Sequence, residues 1–267
     1  MIVRREAESE LALRAVHHGG DICRRSRGGI VATKESLRDI VTETDLEIER
    51  RIRTLLEPGG HPVLGEEQGG EFAAGDAPTW IVDPLDGTTN FASGMPHYAV
   101  SIGLWAEGEF AIGAVALPAA NELYFTHGDR GAFLNGRRLG GSDRPLSESL
   151  VAVSFSGAAG DPVRRQRHYA LFGAINDASR GCLRPGSTAA NLCSVAAGRL
   201  QAAYGFGVAV WDVAGALPIV RQAGFRVRWR FADAARRRVD FLAGTAGAIA
   251  GIAELAARTD VAALWPE

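Results

Sequence analysis

The sequence predicts an α+β protein in which layers of helices pack against β-sheets. Helical patterns stand near both ends of the chain, from about Arg4 to Arg27 and from Ile249 to Leu255. Between them, three strand-like runs separated by turn signals predict an antiparallel meander. These runs are Tyr98–Trp105, Phe110–Leu117 and Glu122–Thr126.

The chain of 267 residues is long enough to bury a sizeable core and to form two halves. A polar linker around Gly141 to Glu148 predicts the boundary between them. We therefore assign residues 1–145 to an N-terminal α+β half and residues 146–267 to a C-terminal α/β half. The first half carries most of the acidic residues described below, and the second half completes the site that they form.

In the N-terminal half, a second helix is predicted after Thr44, because Thr44 and Glu47 have the spacing of a capping box. The apolar residues that follow recur on one helical face. They are Ile48, Ile52, Leu55 and Leu56. A short apolar strand, Trp80–Val82, then leads into a turn that begins at Asp83.

In the C-terminal half, two helices and a strand are expected. Residues Ser187 to Gly198 predict an alanine-rich helix with one apolar side, and a second helix is predicted from Asp212 to Gln222. Asp212 itself is expected to be the N-cap residue of that helix. The segment Val227 to Phe231 is typical of a strand.

The composition argues against several partners and locations. The net charge is −2, so there is no bulk attraction to nucleic acid or to an anionic membrane. The three cysteines include no C-x-x-C pair, and neither a disulfide framework nor a cysteine–zinc site is indicated. No apolar run reaches the length of a membrane span, and the charged N-terminus is unlike a signal peptide. We therefore expect a soluble protein of the cytoplasm.

The most informative segment is W-I-V-D-P-L-D-G-T-T-N-F at residues 80–91. An apolar strand there delivers Asp83 and Asp86 at its C-terminal end, where sheets of the α/β type usually bind ligands. Their spacing lets both carboxylates point into one cavity, to which the Leu85 carbonyl can add a third oxygen. Hard cations such as Mg²⁺ prefer several oxygen ligands. The segment therefore predicts a Mg²⁺ site.

Other parts of the sequence can complete this site. The run Gly87-Thr88-Thr89-Asn90 predicts a helix start, where amide N–H groups favour a phosphate. Glu66 and Glu67 follow a short apolar run, and Asp212 stands between apolar residues at another helix start. Taken alone, the glutamates are more typical of a solvated loop and Asp212 of a simple helix cap.

Taken together, these segments resemble the inositol monophosphatase family of Mg²⁺-dependent, lithium-sensitive phosphatases. The matching segments are V-T-E-T-D at 41–45, G-E-E at 65–67, D-P-L-D-G-T-T-N-F at 83–91, G-S-T-A-A-N at 186–191 and W-D-V-A-G at 211–215. They follow the family's order and, with Lys34, span most of the chain. The resemblance implies a layered α-β-α-β-α sandwich of the sugar-phosphatase type, and a homodimer.

The resemblance also implies ligands for two to three Mg²⁺ ions. Glu66, Asp83 and the Leu85 carbonyl would bind the first ion. Asp83, Asp86 and Asp212 would bind the second, and Glu66 would share a third. Ions placed in this way activate water for the hydrolysis of a phosphate monoester, so that no protein nucleophile is needed.

By the same resemblance, the catalytic residues would be Glu66, Thr88 and Asp45. Thr88, paired with Asp45, would orient and help to deprotonate the attacking water. Lys34 either supports the site electrostatically or is an ordinary surface lysine. The residues implied to contact the substrate are Asp86, Gly87, Thr88, Gly186, Ser187, Thr188 and Asp212.

One departure from the family pattern bears on the substrate. Members specific for inositol phosphate have an acidic residue seven positions before the W-D aspartate, and this chain has Gly205 there. We expect hydrolysis of a small polyol or sugar phosphate, of the inositol-1-phosphate type, although Gly205 argues against myo-inositol monophosphate as the best substrate. Phosphatases for fructose 1,6-bisphosphate, histidinol phosphate or 3′-phosphoadenosine 5′-phosphate are alternatives within the family.

An alternative of another class is a regulatory protein that binds RNA or the transcription machinery. The intact set of carboxylates argues against a purely non-catalytic role, because without a cation it would only destabilise the fold. An arginine-rich segment could contact a polyanion, although a solvated strand face and loop is the more ordinary interpretation. Its arginines are Arg226, Arg228, Arg230, Arg236, Arg237 and Arg238. Nucleic acid is therefore not expected to be a partner.

Overall fold

The computed structural model describes residues 5–26, 30–33, 40–73, 75, 77–128, 130–155, 162–259 and 261. The side chains of residues 30–33 and 40 are outside this description. Within the described residues, the chain forms eight α-helices, a seven-stranded sheet, a five-stranded sheet and a two-stranded ribbon. None of these helices is long and apolar enough to cross a bilayer.

Two helices form the outer layer of the N-terminal half. They are α1 (Glu6–Arg25) and α2 (Glu43–Leu56), and the ribbon between them pairs β1 (Ile30–Thr33) with β2 (Ile40–Thr42). The helix α1 lies within the helix predicted from Arg4 to Arg27. Both helices turn apolar side chains inward, where they form one buried cluster with the sheet beneath.

The start of α2 differs from the prediction. Thr42, not Thr44, is its N-cap residue, and the Thr42 N–H donates to the carboxylate of Asp45 at 2.9 Å. Thr42 and Asp45 therefore form the capping box, while Glu47 is exposed. The pairs Thr42–Asp45 and Thr44–Glu47 have the same spacing in the sequence. In the structure Asp45 is buried and the first pair forms the capping box.

The seven-stranded sheet follows chain order. Its strands are β3 (Val63–Gly65), β4 (Thr79–Asp86), β5 (Ala99–Ala106), β6 (Glu109–Leu117), β7 (Glu122–Thr126), β8 (Ala132–Leu134) and β9 (Arg137–Arg138). Strands β3 and β4 are parallel, and all later neighbours are antiparallel. The predicted meander is confirmed. A short helix, α3 (Thr88–Ala92), joins β4 to β5.

The five-stranded sheet has the order β11-β10-β12-β14-β13. Its strands are β10 (Leu150–Phe155), β11 (Gly181–Leu183), β12 (Ala202–Ala209), β13 (Arg226–Phe231) and β14 (Arg238–Gly244). The first three run parallel to one another, and β14 is antiparallel to both of its neighbours. The last strand of the first sheet and the first strand of this one lie on either side of residue 145. A division into two domains at that residue stays a prediction.

The remaining helices lie on the two faces of the second sheet. They are α4 (Pro162–Ala178), α5 (Thr188–Ala196), α6 (Val210–Ala214), α7 (Ala216–Gln222) and α8 (Ala246–Arg258). Helices α5, α6 and α7 pack between the two sheets, while α4 and α8 cover the outer face. The layers therefore run α-β-α-β-α, and the predicted layered sandwich is confirmed.

Two glycines of the first sheet let the middle layer approach closely. A Cβ on Gly103 would lie 2.4 Å from the Ala214 carbonyl, and one on Gly113 would lie 1.9 Å from the Gly215 carbonyl oxygen. Because only glycine leaves room there, the α6–α7 junction rests directly on β5 and β6. The single helix predicted from Asp212 to Gln222 is therefore two helices in the structure. The first begins earlier, at Val210, and the division lies at Gly215.

Candidate active site

A β-bulge near the end of β4 places Asp83 and Asp86 on one face of the sheet. In a regular strand, residues three apart point to opposite faces. Here Asp83 pairs with Ser101 and Asp86 with Ala99, so β4 contains one residue more than β5 between the two pairs. That extra residue reverses the alternation, and Pro84 fits at the bulge because it has no N–H to donate. The segment is thus a bulged strand and not the predicted turn.

Glu66 joins Asp83 from the neighbouring strand. Strand β3 pairs with β4 through Gly65 and Val82, and the Glu66 N–H donates to the Val82 carbonyl at 3.2 Å. Burial raises the pKa of Asp83 well above its usual range, and the charges of Glu66, Asp86 and Asp212 raise it further. A hydrogen bond at 3.0 Å from the Leu85 N–H to Asp83 Oδ1 opposes the rise and fixes the carboxylate.

Asp86 connects the first half of the chain to the second. Its Oδ2 accepts hydrogen bonds at 2.6 Å from both the Ser187 hydroxyl and the Ala189 N–H, at the start of α5. Burial raises the pKa of Asp86 to about 6, and hydrogen bonds from Ser187, Ala189 and Thr188 limit that rise. The predicted substrate-binding segment around Ser187 therefore lies against a predicted metal ligand.

Asp212 completes the group from the middle helix layer. It is the third residue of α6, and its Oδ2 accepts the Ala209 N–H at 3.1 Å, so Asp212 is not the N-cap residue that was predicted. One ligand oxygen from each of Asp83, Asp86 and Asp212 lies within 4.8 Å of the others. We call these three residues the acidic cluster.

No protein cation neutralises the acidic cluster in the part of the chain that the structure describes. Its three carboxylates form no ion pair there with an arginine or lysine. Burial raises the pKa of Asp212 well above its usual range, as do the charges of Asp86 and Glu66, while the Ala209 N–H and the charge of Arg238 oppose the rise. Buried carboxylates this close repel one another, and oxygen ligands alone suit a hard cation such as Mg²⁺.

Thr88 links Asp45 to the end of β4. The Thr88 hydroxyl is 3.0 Å from Asp45 Oδ1 and 2.9 Å from the Leu85 carbonyl oxygen. Burial raises the pKa of Asp45, and hydrogen bonds from Thr42 and Thr88 oppose the rise. Gly87 is the residue before α3 and has φ at +92°, a conformation that favours glycine. The structure thus brings the Leu85 carbonyl, Thr88 and Asp45 together.

The other predicted residues are distributed as follows. The Thr188 hydroxyl donates to Ser154 on β10 at 2.9 Å, so this side chain faces the second sheet. Gly186 has φ at +103° and packs against Asn90. Lys34 lies outside the described residues.

Sequence reasoning missed the bridging role of Asn90. Its side-chain amide donates to the His97 carbonyl at 2.7 Å and to the Pro185 carbonyl at 2.8 Å. The loop that carries Gly186 and Ser187 is thereby fixed against the end of β4. Asn90 belongs to the D-P-L-D-G-T-T-N-F string, but nothing in the sequence names its partners.

The arginine-rich segment is largely engaged within the protein. Arg230 forms an ion pair with Asp240 at 3.0 Å, and Arg237 donates to the Gly70 carbonyl at 2.6 Å. The guanidinium of Arg236 lies over Trp105 at 5.8 Å from the ring centre. These contacts favour the structural interpretation of the segment.

Comparison with known proteins identifies the family and agrees with the fold. The profile of the inositol monophosphatase family matches residues 6–260. Inositol-1-monophosphatase SuhB of Mycobacterium tuberculosis is 42% identical over 212 residues, which cover 74% of this chain and 71% of that protein. Nus factor SuhB of Pseudomonas aeruginosa is 35% identical over 222 residues, which cover 80% and 82%.

Solved structures give the same result. Inositol monophosphatase from Anabaena superposes with a TM-score of 0.81 at 25% identity, covering 96% of this chain and 97% of that one. Extragenic suppressor protein suhB from Bartonella henselae has a TM-score of 0.81 at 28% identity, covering 93% and 98%. The fold and the family match are therefore those of a phosphoric monoester hydrolase. The chain belongs to the inositol monophosphatase family, which is metal-dependent.

Proposed function

We propose that the protein hydrolyses phosphate monoesters of small polyols or sugars in a Mg²⁺-dependent reaction. The acidic cluster is the observation that carries this proposal. Its three carboxylates converge within 4.8 Å, and one oxygen of each is oriented by a hydrogen bond from an N–H group. Such outer hydrogen bonds are typical of residues that hold a metal ion.

The ligands that we propose for two to three Mg²⁺ ions are Glu66, Asp83, the Leu85 carbonyl, Asp86 and Asp212. Their oxygen donors fit this cation, and their mutual repulsion is relieved when positive charge lies among them. Bound Mg²⁺ supplies a Lewis acid that activates water and stabilises negative charge on the phosphoryl group. Lys34 is proposed only as an electrostatic support.

Thr88 and Asp45 are proposed to orient the attacking water. The Thr88 hydroxyl has one proton and two acceptors within reach, Asp45 Oδ1 and the Leu85 oxygen. When it donates to Asp45, its lone pairs accept a proton from water. The raised pKa of Asp45 favours uptake of the relayed proton at Oδ1. The water oxygen then bonds to phosphorus, the ester P–O bond breaks, and the leaving oxygen takes a proton from solvent water, while Asp45 returns its proton to solvent.

The surroundings of Gly205 support a substrate site that differs from an inositol-specific one. A Cβ on Gly205 would lie 2.5 Å from the ring of Phe241, so the aromatic side chain fills the space into which an acidic residue would extend. We propose that Gly186, Ser187 and Thr188 contact the substrate instead. This supports a polyol or sugar phosphate other than myo-inositol 1-phosphate as the preferred substrate.

Phosphate release from a panel of monoesters tests the proposal. The panel contains inositol 1-phosphate, glycerol 2-phosphate, fructose 1,6-bisphosphate, histidinol phosphate and 3′-phosphoadenosine 5′-phosphate, each with Mg²⁺, with EDTA and with Li⁺. We expect Mg²⁺-dependent release that EDTA and Li⁺ suppress. Release that persists in EDTA would overturn the metal requirement, and the preferred ester identifies the substrate class.

A regulatory function is the second candidate, because several relatives bear the name Nus factor SuhB. Binding of Mg²⁺ without turnover of any ester in the panel would favour it. The contacts of Arg230, Arg236 and Arg237 within the protein do not support an RNA-binding role for that segment.

A homodimer is also proposed, from family resemblance, and a cytoplasmic location, from the small number of cysteines. Sedimentation velocity of the full chain tests the dimer directly. A single species of monomer mass across the micromolar range would contradict it.

A further inference from the structure

Glu49 is a buried carboxylate on α2, one helical turn after Asp45. It has no solvent exposure, and both of its oxygens accept hydrogen bonds. Oε2 accepts the Glu67 N–H at 2.7 Å, and Oε1 accepts the Gln68 N–H at 3.1 Å. The carboxylate thus binds the backbone of the turn that begins at Glu66.

Arg53, one turn further along α2, binds the same carboxylate and the same loop. Its Nε donates to Glu49 Oε1 at 2.9 Å, and its two terminal nitrogens donate to the carbonyls of Val63 at 3.1 Å and Gly69 at 2.6 Å. The pair therefore fixes the loop on both sides of Glu66. Neither side chain forms a described hydrogen bond with the acidic cluster itself.

The backbone of β3 is shaped to receive this carboxylate. A Cβ on Gly65 would lie 2.1 Å from Glu49 Oε1, a distance that no side chain tolerates. Gly65 therefore lets Glu49 lie directly against the strand that ends at Glu66. A second anchor acts from the C-terminal half, where Arg237 binds the Gly70 carbonyl.

We propose that Glu49, with Arg53, is a positioning residue that sets the affinity of the site for Mg²⁺ by fixing the backbone of Glu66. This inference rests on the proposed function, since it takes Glu66 as a ligand. When a carboxylate on a mobile loop binds an ion, the loop loses conformational entropy. The Glu49–Arg53 pair reduces this loss because it orders the loop before the ion binds. Helix α2 thus serves the site twice, through Asp45 at the water and through Glu49 at the loop.

The test is direct titration of the full-length protein with Mg²⁺ by isothermal calorimetry, without substrate. In Glu49→Gln, an amide NH₂ faces the donors of Glu67 and Arg53, so the loop loses its fixed position while the side-chain volume is kept. We expect the dissociation constant for Mg²⁺ to rise about 10- to 100-fold, as for other partners outside the ligand shell. Glu47→Gln, at an exposed position of the same helix, is the matched control and should bind Mg²⁺ as the parent does.

The Mg²⁺ dependence of phosphate release separates positioning from general damage. We expect half-saturation in Glu49→Gln to move to higher Mg²⁺ by the same factor, while the turnover number at saturating Mg²⁺ recovers to within about threefold of the parent. A folded Glu49→Gln protein with parental Mg²⁺ affinity overturns the inference. So does a turnover number that Mg²⁺ does not restore.

Arg53→Lys decides the question if Glu49→Gln does not fold. The lysine keeps the positive charge beside Glu49 but cannot reach the Val63 and Gly69 carbonyls together, and Arg53 is 24% exposed. Weaker Mg²⁺ binding in this variant supports the inference, and unchanged binding overturns it. If the parent protein binds Mg²⁺ in the calorimeter but hydrolyses no ester in the panel, the proposed function is refuted. The comparison of Mg²⁺ affinities between parent and variants still tests the role of Glu49.

Discussion

Two regions of the molecule bury acidic groups in opposite ways. At Asp240, one oxygen accepts two hydrogen bonds from Arg230, at 3.1 and 3.0 Å, and the other accepts the Gly207 N–H at 2.8 Å. Arg164 adds a second cation at 3.6 Å. The acidic cluster receives hydrogen bonds from N–H and hydroxyl groups but no such ion pair among the described residues.

The difference separates a buried acid that is neutralised within the chain from buried acids that could bind a cation. A buried carboxylate is expensive unless it is paired, and Asp240 is supplied with its cations by the chain itself. Among the described residues no side chain forms an ion pair with the acidic cluster, so a cation bound between its carboxylates would stabilise it. Asp45 is intermediate, since it is buried but accepts hydrogen bonds from the hydroxyl groups of Thr42 and Thr88.

Asp83→Asn tests the unpaired side of the comparison and has the largest expected effect. Phosphate release should fall at least about 10³-fold, since charge stabilisation by a metal ion is worth several kcal/mol and about 1.4 kcal/mol is tenfold in rate. The metal-free variant should also melt at a higher temperature than the metal-free parent, because one repulsive charge is gone. Calorimetric melting in EDTA measures this, and a lower melting temperature would contradict it.

Thr88→Ala tests the intermediate case. The turnover number should fall about 10²-fold, because the hydroxyl that orients the water is lost. Binding of Mg²⁺, measured by calorimetry, should change little, since the Leu85 carbonyl remains. Thr88→Ser keeps the hydroxyl and should retain most of the activity. An inactive Thr88→Ser would show that the methyl group, not the hydroxyl, matters.

Asp240→Asn tests the paired side and should act in the opposite direction from Asp83→Asn. We expect a loss of about 1–2 kcal/mol of unfolding free energy, because charge-assisted hydrogen bonds are lost and water screens part of the effect at Arg230, which is 39% exposed. Urea denaturation measures it, with the exposed Asp177→Asn as control. If Asp240→Asn is as stable as the control Asp177→Asn, the ion pairs of Asp240 do not stabilise the fold and the comparison with the acidic cluster fails.

Glu122→Gln has the smallest expected effect. The hydrogen bond from Arg199, which is 50% exposed, lowers the pKa of Glu122 below its ordinary value of 4.5. Stability from this pair is therefore present above pH 4.5 and is lost as the pH falls through the lower, folded-state pKa. At neutral pH the variant should lose at most about 1 kcal/mol. The two proteins should become equally stable in strong acid, and a difference that grows there would contradict the assignment.

The core of the site was predictable from the sequence because its chemistry lies in one short string. Asp83, Asp86 and Thr88 stand within six residues, and the structure brings the two aspartates together with Asp212, while the charge of Glu66 acts on Asp83. The bulge at Pro84 was not predicted, since the same D-P-L-D spacing is typical of a turn. Only pairing with β5 shows that the strand continues.

Partners distant in sequence were the part that could not be predicted. Glu49 and Arg53 have the i, i+4 spacing of a solvent-exposed helix pair, and nothing local shows that a loop covers them. In the sequence Asp240 is a single acid after a run of arginines. Only the pairing of β13 with β14 shows that Arg230 lies opposite it. The starts of α2 and α6 were placed too late because Thr44 and Asp212 are residue types that favour the N-cap, whereas the structure has Thr42 and Ala209 there.

The hydrogen bonds from Ser187 and Ala189 to Asp86 connect the proposed cation site on the first sheet to the helices that pack against the second sheet. A chain in which the second sheet is detached keeps Asp83 but loses Asp212 and the groups that orient Asp86. An ion that binds only the assembled form shifts the equilibrium toward it by mass action, in proportion to the logarithm of ion concentration. The supply of divalent ions around the protein would then govern how firmly its two sheets stay docked, whether or not any substrate is present.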